Sequence, residues 1–359
     1  MLSGTWGNSI KLSIFGESHG EGIGIVIDGI KPGIKLDLDY IYYEMRRRAP
    51  GESTLTTSRR EKDDFNILSG YFNGRTTGTP LAVVIFNHSQ NSKDYEKTRN
   101  LMRPSHGDFP GYIKYGGFND YRGGGHFSGR LTAPLVFAGA ICKKILEDQE
   151  IFLGSHIKSI GKIEDDSFDF TNINKETLNM LKESRLPLLN VGVKESIEDA
   201  IEDAKKNKDS LGGIIEGAAI NVPVGIGEPF FNSLESQLAS LLFSIPGVKG
   251  VEFGLGFDIT RLKGSEAKDE YYMKENNVKT YTNNNGGILG GISNGMPIVF
   301  RVAIKPTPSI GKRQKTINVD KMENHSIEII GRHDPSIVLR AIPVVEAVTA
   351  IVLLDLIQM

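Results

Sequence analysis

The chain has 359 residues, 39% of them hydrophobic and 24% charged, with a formal net charge of −2. That composition excludes a disordered polymer, and the near-neutral balance offers no global attraction for nucleic acid or anionic membrane. The single cysteine, Cys142, rules out an internal disulfide and a thiolate zinc cage, which points to a reducing compartment.

Residues 1–7 lack the basic-then-apolar pattern of an export signal. Pro343, Glu346 and Asp355 interrupt the most apolar stretch, 341–357, so it is expected to be a buried helix rather than a membrane span. The expectation is a cytoplasmic protein.

In chain order, alternation and propensity predict a strand over 23–27, a helix over 39–48, a strand over 81–86 and a helix over 132–147. The polar stretch 161–210 reads as an exposed helical excursion, with a helix over 197–206 near its end. Then follow a strand over 214–222, a helix over 234–243, a polar mobile loop near 266–287, a strand over 297–304 and a helix over 338–356. Strands and helices mix without a regular βαβ rhythm, which predicts an α+β fold, taken as a single domain over 1–359. The 41 glycines cluster at 16–24, 123–125, 254–256 and 286–291. They form neither a dinucleotide fingerprint nor a P-loop, and no H-E-x-x-H occurs.

Four segments combine glycine with residues that bind anions or move protons. Gly16-Glu17-Ser18-His19-Gly20 presents a histidine on exposed backbone, either a proton donor near neutral pH or a turn with a surface imidazole. In Arg46-Arg47-Arg48-Ala49-Pro50-Gly51, successive helical residues are about 100° apart, so at most two arginines can share a site; a solvated basic face is the alternative. Arg103-Pro104-Ser105-His106-Gly107-Asp108 leads to Asp120-Tyr121-Arg122-Gly123-Gly124-Gly125-His126-Phe127-Ser128-Gly129-Arg130, a glycine run before a helix start and a plausible anion cradle. The fourth pairs Lys305-Pro306-Thr307-Pro308-Ser309, suited to a terminal phosphate, with Gly331-Arg332-His333-Asp334-Pro335, where Asp334 is either functional or a helix cap. His88, His156 and His325 lie among polar neighbours and read as surface residues.

Taken together, and with Thr76-Thr77-Gly78-Thr79 and Gly286-Gly287-Ile288-Leu289-Gly290-Gly291, these segments resemble chorismate synthase across essentially the whole chain, in that family's order and spacing. The resemblance implies a β-α-β sandwich with helices enclosed between antiparallel sheets, usually assembled as a homotetramer. It implies a lyase that converts 5-enolpyruvylshikimate 3-phosphate to chorismate and phosphate and requires reduced FMN. His19 and His106 match the family's catalytic histidines, Asp334 its aspartate near flavin N5, and Ser18 and Ser128 its supporting serines. Arg48, Arg103 and Arg130, with Arg59 and Arg60, match substrate-anion ligands. Lys305, Pro306, Thr307, Pro308, Ser309, Gly290 and Arg332 match FMN-binding positions.

The chain departs from the family in three places. His126-Phe127-Ser128 stands where arginine-serine-serine is usual, Pro246-Gly247 where asparagine-alanine is common, and Thr54 where many members carry arginine. The first two fall at flavin-contact positions, and Phe127 offers a ring face there in place of a hydrogen bond. Without a dinucleotide motif, an external flavin reductase is expected rather than self-reduction with NADPH. An FMN oxidoreductase is the competing enzyme reading, against which His19, His106 and Asp334 speak. RNA binding through Arg46 to Arg48 is the non-catalytic one, disfavoured by the charge balance and the lack of interleaved aromatics.

Overall fold

The computed structural model describes residues 4–51, 55–56, 63–87, 96, 99–329, 331 and 334–359. The chain divides into two compact units, each built from three separate segments. The first comprises Met1–Ala138, Asp199–Leu211 and Pro306–Ile337; the second comprises Gly139–Glu198, Gly212–Lys305 and Val338–Met359.

The first unit is built on a five-stranded antiparallel sheet in the order Thr5–Trp6, Lys11–Gly16, Gly22–Asp28, Leu81–Phe86, Phe65–Ser69. Period-two alternation puts Ile23, Ile25 and Ile27 on one face, and the register sets them opposite Ile85, Val83 and Leu81. All six are buried, each contributing roughly 1.5–3 kcal/mol. Gly24 faces the other way, where the ring of its cross-strand partner Phe15 occupies the space a Cβ would need.

The Leu38–Arg48 helix starts at Asp37, whose Oδ1 accepts the Tyr40 N–H at 3.0 Å. Its buried stripe is Ile41, Glu44, Met45 and Arg48, the i, i+3, i+4, i+7 spacing of one helical face. Tyr42 stacks on Phe65 of the sheet with ring centroids 4.5 Å apart, and Phe137 meets Phe65 edge-on. A short helix, Asp108–Lys114, and a hairpin of Gln314–Asn318 and Glu323–Ile327 belong to the same unit.

The second unit carries another five-stranded antiparallel sheet, in the order Val248–Phe253, Ile298–Ile304, Gly213–Ile220, Phe152–Ile160, Ile163–Glu164. The Val338–Ile357 helix is buried from Val338 to Leu356 except at Arg340, as its near-continuous apolar run requires. Gly139 lets it approach closely, because a Cβ at Gly139 would overlap Ala347. Its buried Glu346 is matched by Lys143 Nζ at 2.8 Å and Ser155 Oγ at 3.1 Å.

The excursion near 161–210 does carry helices, Lys175–Glu183 and Lys194–Lys206, yet it is not simply exposed. Leu178 and Leu181 pack with Phe152, Phe168, Ala218, Ile220 and Val299 in one buried cluster. The stretch near 266–287, read as a loop, holds a hairpin of Tyr271–Lys274 and Asn277–Thr280. Asp269 gathers its base, accepting from Thr282 Oγ1 and from the backbone N–H groups of Asn284 and Asn285.

His156 corrects the surface reading: it is fully buried, its Nδ1 3.1 Å from Asp165 Oδ2 and its Nε2 3.0 Å from Glu216 Oε2. Burial alone would lower its pKa, but the hydrogen bonds and charges of Asp165 and Glu216 raise it. Among the described residues no helix is long and apolar enough to cross a membrane, and no group of His, Cys, Asp or Glu could hold a metal ion.

Candidate active site

The glycine run organises the first unit. Gly123, Gly124 and Gly125 all have positive φ (59°, 87° and 52°), so the backbone turns left-handed three times in succession. The turn lays bare backbone against functional side chains. A Cβ at Gly123 would overlap the His19 ring, and one at Gly124 would stand 3.5 Å from Arg103 Nη2. One at Gly125 would press on Glu17 Oε2 at 2.8 Å. The His19 loop docks on this run through the Ser18 N–H, which donates to the Gly125 carbonyl at 3.2 Å.

Ser18 and His19 are both buried, His19 with 6% of its surface exposed. The Ser18 hydroxyl donates to the carbonyls of Arg122 and Gly123, each at 3.3 Å, and lies 3.1 Å from His19 Nδ1. His126 Nδ1 reaches the Gly16 carbonyl at 2.9 Å, at the other side of the same loop.

Acidic partners hold the arginines. Arg103 makes two contacts of 2.7 Å to Asp108, and Arg122 makes two of 2.9 Å to Asp120, both forked. Arg48, 2% exposed, meets Asp63 Oδ2 at 2.5 Å through Nη2 and Thr132 Oγ1 at 3.2 Å through Nη1. Arg130 pairs with the other Asp63 oxygen and bonds Asn87 Oδ1 at 3.1 Å. Asn87 in turn donates to the carbonyls of Glu17 and Gly20, tying the arginine pair to the His19 loop. Of the three consecutive arginines, Arg48 alone lies on the buried stripe of its helix, and Arg47 pairs with Glu44.

These charges shift their neighbours. Burial pushes Asp63 up, but the Arg48 and Arg130 guanidiniums outweigh it and hold the carboxyl below its ordinary range. Asp120 is likewise lowered, burial being overcome by Arg122 and by the His19 charge. Glu17 goes the other way, raised by burial and by Asp120 against the opposing His126.

His106 stands at the turn before the Asp108–Lys114 helix, its Nε2 2.7 Å from Ser309 Oγ. Thr307 lies close by in sequence, its carbonyl accepting from Ser210 Oγ at 2.7 Å. A cleft of about 320 Å³ opens beside Arg103, walled by Arg99, Met102, Tyr112, Tyr121 and Phe127. In the second unit the Lys305 N–H donates to the Gly247 carbonyl at 2.9 Å. Burial first, and the Lys249 charge second, lower the Lys305 pKa, so the pair favours an anion.

The chain matches the chorismate synthase family model over residues 10–358. A chorismate synthase of Dehalococcoides mccartyi is 46% identical over 355 residues, covering 99% of this chain and 96% of the relative. One from Pyrococcus abyssi is 48% identical over 350 residues, covering 97% and 96%. A solved chorismate synthase crystal structure superposes with a TM-score of 0.77 at 33% identity, covering 98% of this chain and 93% of the other. The chain belongs to the chorismate synthase family.

Membership makes it a lyase of the shikimate pathway to aromatic amino acids, with the α+β fold of chorismate synthases. Of the residues singled out in the sequence, the first unit gathers Ser18, His19, Arg103, His126, Phe127 and Ser128 around the glycine run. It joins Arg48 to Arg130 through Asp63, and His106 to Ser309. Ser128 caps the following turn, accepting from the Arg130 N–H. Pro246, Gly247, Gly290 and Lys305 lie in the second unit. Pro306, Pro308 and Asp334 lie in the first, Asp334 half-buried. Arg59, Arg60, Arg332, Thr54, His88 and His333 fall outside the described residues. Asp63 was not legible beforehand: in Lys62-Asp63-Asp64 it looks like part of a solvated charged run. Its positive φ of 53°, rare outside glycine, shows only in the fold.

Proposed function

We propose that the chain carries out the anti 1,4-elimination of phosphate from 5-enolpyruvylshikimate 3-phosphate, giving chorismate, with reduced FMN bound. The observation that carries this reading is the buried His19, its Nδ1 3.1 Å from the Ser18 hydroxyl and its ring backed by side-chain-free Gly123. The C3–O bond breaks with its electron pair leaving on phosphate, the C6–H bond gives up its proton, and the ring gains the second double bond of the diene. A protonated imidazole donates to the departing phosphate, the role we give His19, while His106, set by Ser309, serves as the second acid near the flavin. Arg48, Arg103 and Arg130, with Arg59 and Arg60, hold the substrate anions, and Asp63, Asp108 and Asp120 set the guanidinium orientations.

The residues fit a flavin phosphate: burial first, and the Lys249 charge second, lower the Lys305 pKa, so a nearby anion would favour the charged lysine. The family resemblance assigns FMN binding to Lys305, Pro306, Thr307, Pro308, Ser309, Gly247, Gly290 and Arg332, and flavin contact to Pro246, His126, Phe127 and Ser128. When bound, reduced FMN would supply an electron-rich ring able to lend and recover an electron and to help remove the C6 proton. Asp334 would support that proton removal beside N5. The reading extends to a cytoplasmic homotetramer served by an external flavin reductase, supported by the family resemblance; light scattering tests the assembly.

The deciding experiment mixes anaerobic enzyme, reduced FMN and the enolpyruvyl substrate and follows phosphate and chorismate together. Equimolar release is expected, and His19→Ala should lower kcat by about 10²–10⁴-fold. Flavin oxidation without phosphate release would replace the lyase with a flavin oxidoreductase.

A further inference from the structure

We propose that Phe127 is a positioning residue that sets His106 relative to the glycine run behind His19. This rests on the reading above, in which both histidines act as acids.

The ring of Phe127 lies along a bare strip of the Asp108–Lys114 helix. A Cβ at Gly107 would stand 3.2 Å from Phe127 Cγ, and one at Gly111 would stand 2.7 Å from Cε2 and 3.1 Å from Cζ. Gly107 and Gly111 are one turn apart, joined by the Gly111 N–H to Gly107 carbonyl bond of 2.9 Å. Tyr115 continues the strip, its ring 6.2 Å from that of Phe127. Gly107 has φ −77°, an ordinary value for any residue, so backbone conformation does not call for glycine there. Space does: the aromatic ring fills the volume that side chains would take.

A seven-residue helix is not stable by itself, and no side chain caps this one at Gly107. Phe127 therefore holds its start. His106 immediately precedes that start, with its N–H on the Arg103 carbonyl and its Nε2 on Ser309. Two residues before Phe127, the Gly125 carbonyl accepts the Ser18 N–H. One side chain thus spans from the segment that backs His19 to the segment that carries His106. The usual serine of the family is too short for that contact. With 42% of its surface exposed, Phe127 keeps its outer edge toward the cleft.

The test compares Phe127→Ala and Phe127→Ser with the conservative Phe127→Leu. In the short variants kcat should fall about tenfold or more with KM nearly unchanged, and Leu should restore most of it. The limb of the kcat–pH profile that belongs to His106 should move in the short variants only. Two measurements on flavin-free protein accompany these. Amide exchange at Gly111 and Tyr115 should accelerate, and the NMR titration curve of the His106 ring should be displaced. Gly111→Ala completes the set: harmful in the wild type, where its Cβ meets the ring, it should restore slow exchange and part of kcat in Phe127→Ala. Unchanged exchange and His106 titration in the short variants, or equal harm from Gly111→Ala in both backgrounds, would overturn the proposal. Neither flavin-free measurement needs turnover, so failure of the lyase reading would show separately, as absent phosphate release by the wild type.

Discussion

Gly123 and Asp63 do opposite things for the site: one clears space, the other supplies charge. Gly123→Ala adds a carbon where the His19 ring lies and strains a backbone at φ 59° by about 1–2 kcal/mol. The expected outcome is a modest fall in melting temperature with kcat down by roughly 10²-fold or more, since the imidazole must move. Steady-state kinetics beside a thermal scan would show it. Asp63→Asn leaves two buried guanidiniums without their shared carboxylate and should cost about 3–5 kcal/mol by urea unfolding at neutral pH. Because the folded-state pKa of Asp63 is lowered, its stabilisation is present above the ordinary carboxylate value of about 3.9. It fades as pH falls through the lowered folded value. The gap between wild type and Asp63→Asn should therefore narrow in acid, and parallel slopes down to pH 2 would contradict the assignment. At this scale the glycine run announced itself through its company of arginines and histidines. Asp63 did not, because nothing in a run of charged residues distinguishes a buried carboxylate from a solvated one.

Elements were legible where their pattern was strong. The helix over 132–147 and the strand over 81–86 match in both bounds, and the 338–356 helix extends one residue further. Each is a long apolar run or a clean alternation. The Phe152–Ile160 strand was missed because glycine, two serines, histidine and lysine break its hydrophobic signal. That strand is nevertheless almost wholly buried, and the physical reason is His156, whose partners lie 9 and 60 positions away. Asp165 also accepts the N–H groups of Leu189 and Asn190, and Glu216 that of Phe168, so one charged cluster pins the segment near 165–190 to the sheet. The folded-state pKa of His156 is raised, so its contribution is complete below the ordinary histidine value of about 6.5. It is lost as pH rises through the raised folded value. Urea midpoints measured from pH 5.5 to 9 should decline for the wild type and lose that slope in His156→Gln.

For the whole molecule, the proposed binding of two anions, FMN and the phosphorylated substrate, implies strong linkage between ligands and stability. Reduced FMN at about 100 times its dissociation constant should stabilise the fold by about 2.7 kcal/mol, visible as a higher melting temperature under anaerobic conditions. Added salt should raise KM for the phosphorylated substrate by screening the arginines, and an ionic-strength series in KM would test it. Family and fold class were legible because eight short motifs keep order and spacing over the full length. The interleaving of two units, three segments each, was not, since no linker or composition shift marks a boundary. That interleaving bears on how the enzyme is made. Ser309 follows His106 by 203 positions, yet the two side chains touch. A chain still emerging from the ribosome already holds His19, the glycine run and the first strands, but His106 has no Ser309 hydroxyl to rest against until synthesis is more than four-fifths done. Termination anywhere between His106 and Ser309 yields a polypeptide that owns both histidines and still lacks the hydroxyl that His106 meets in the folded chain.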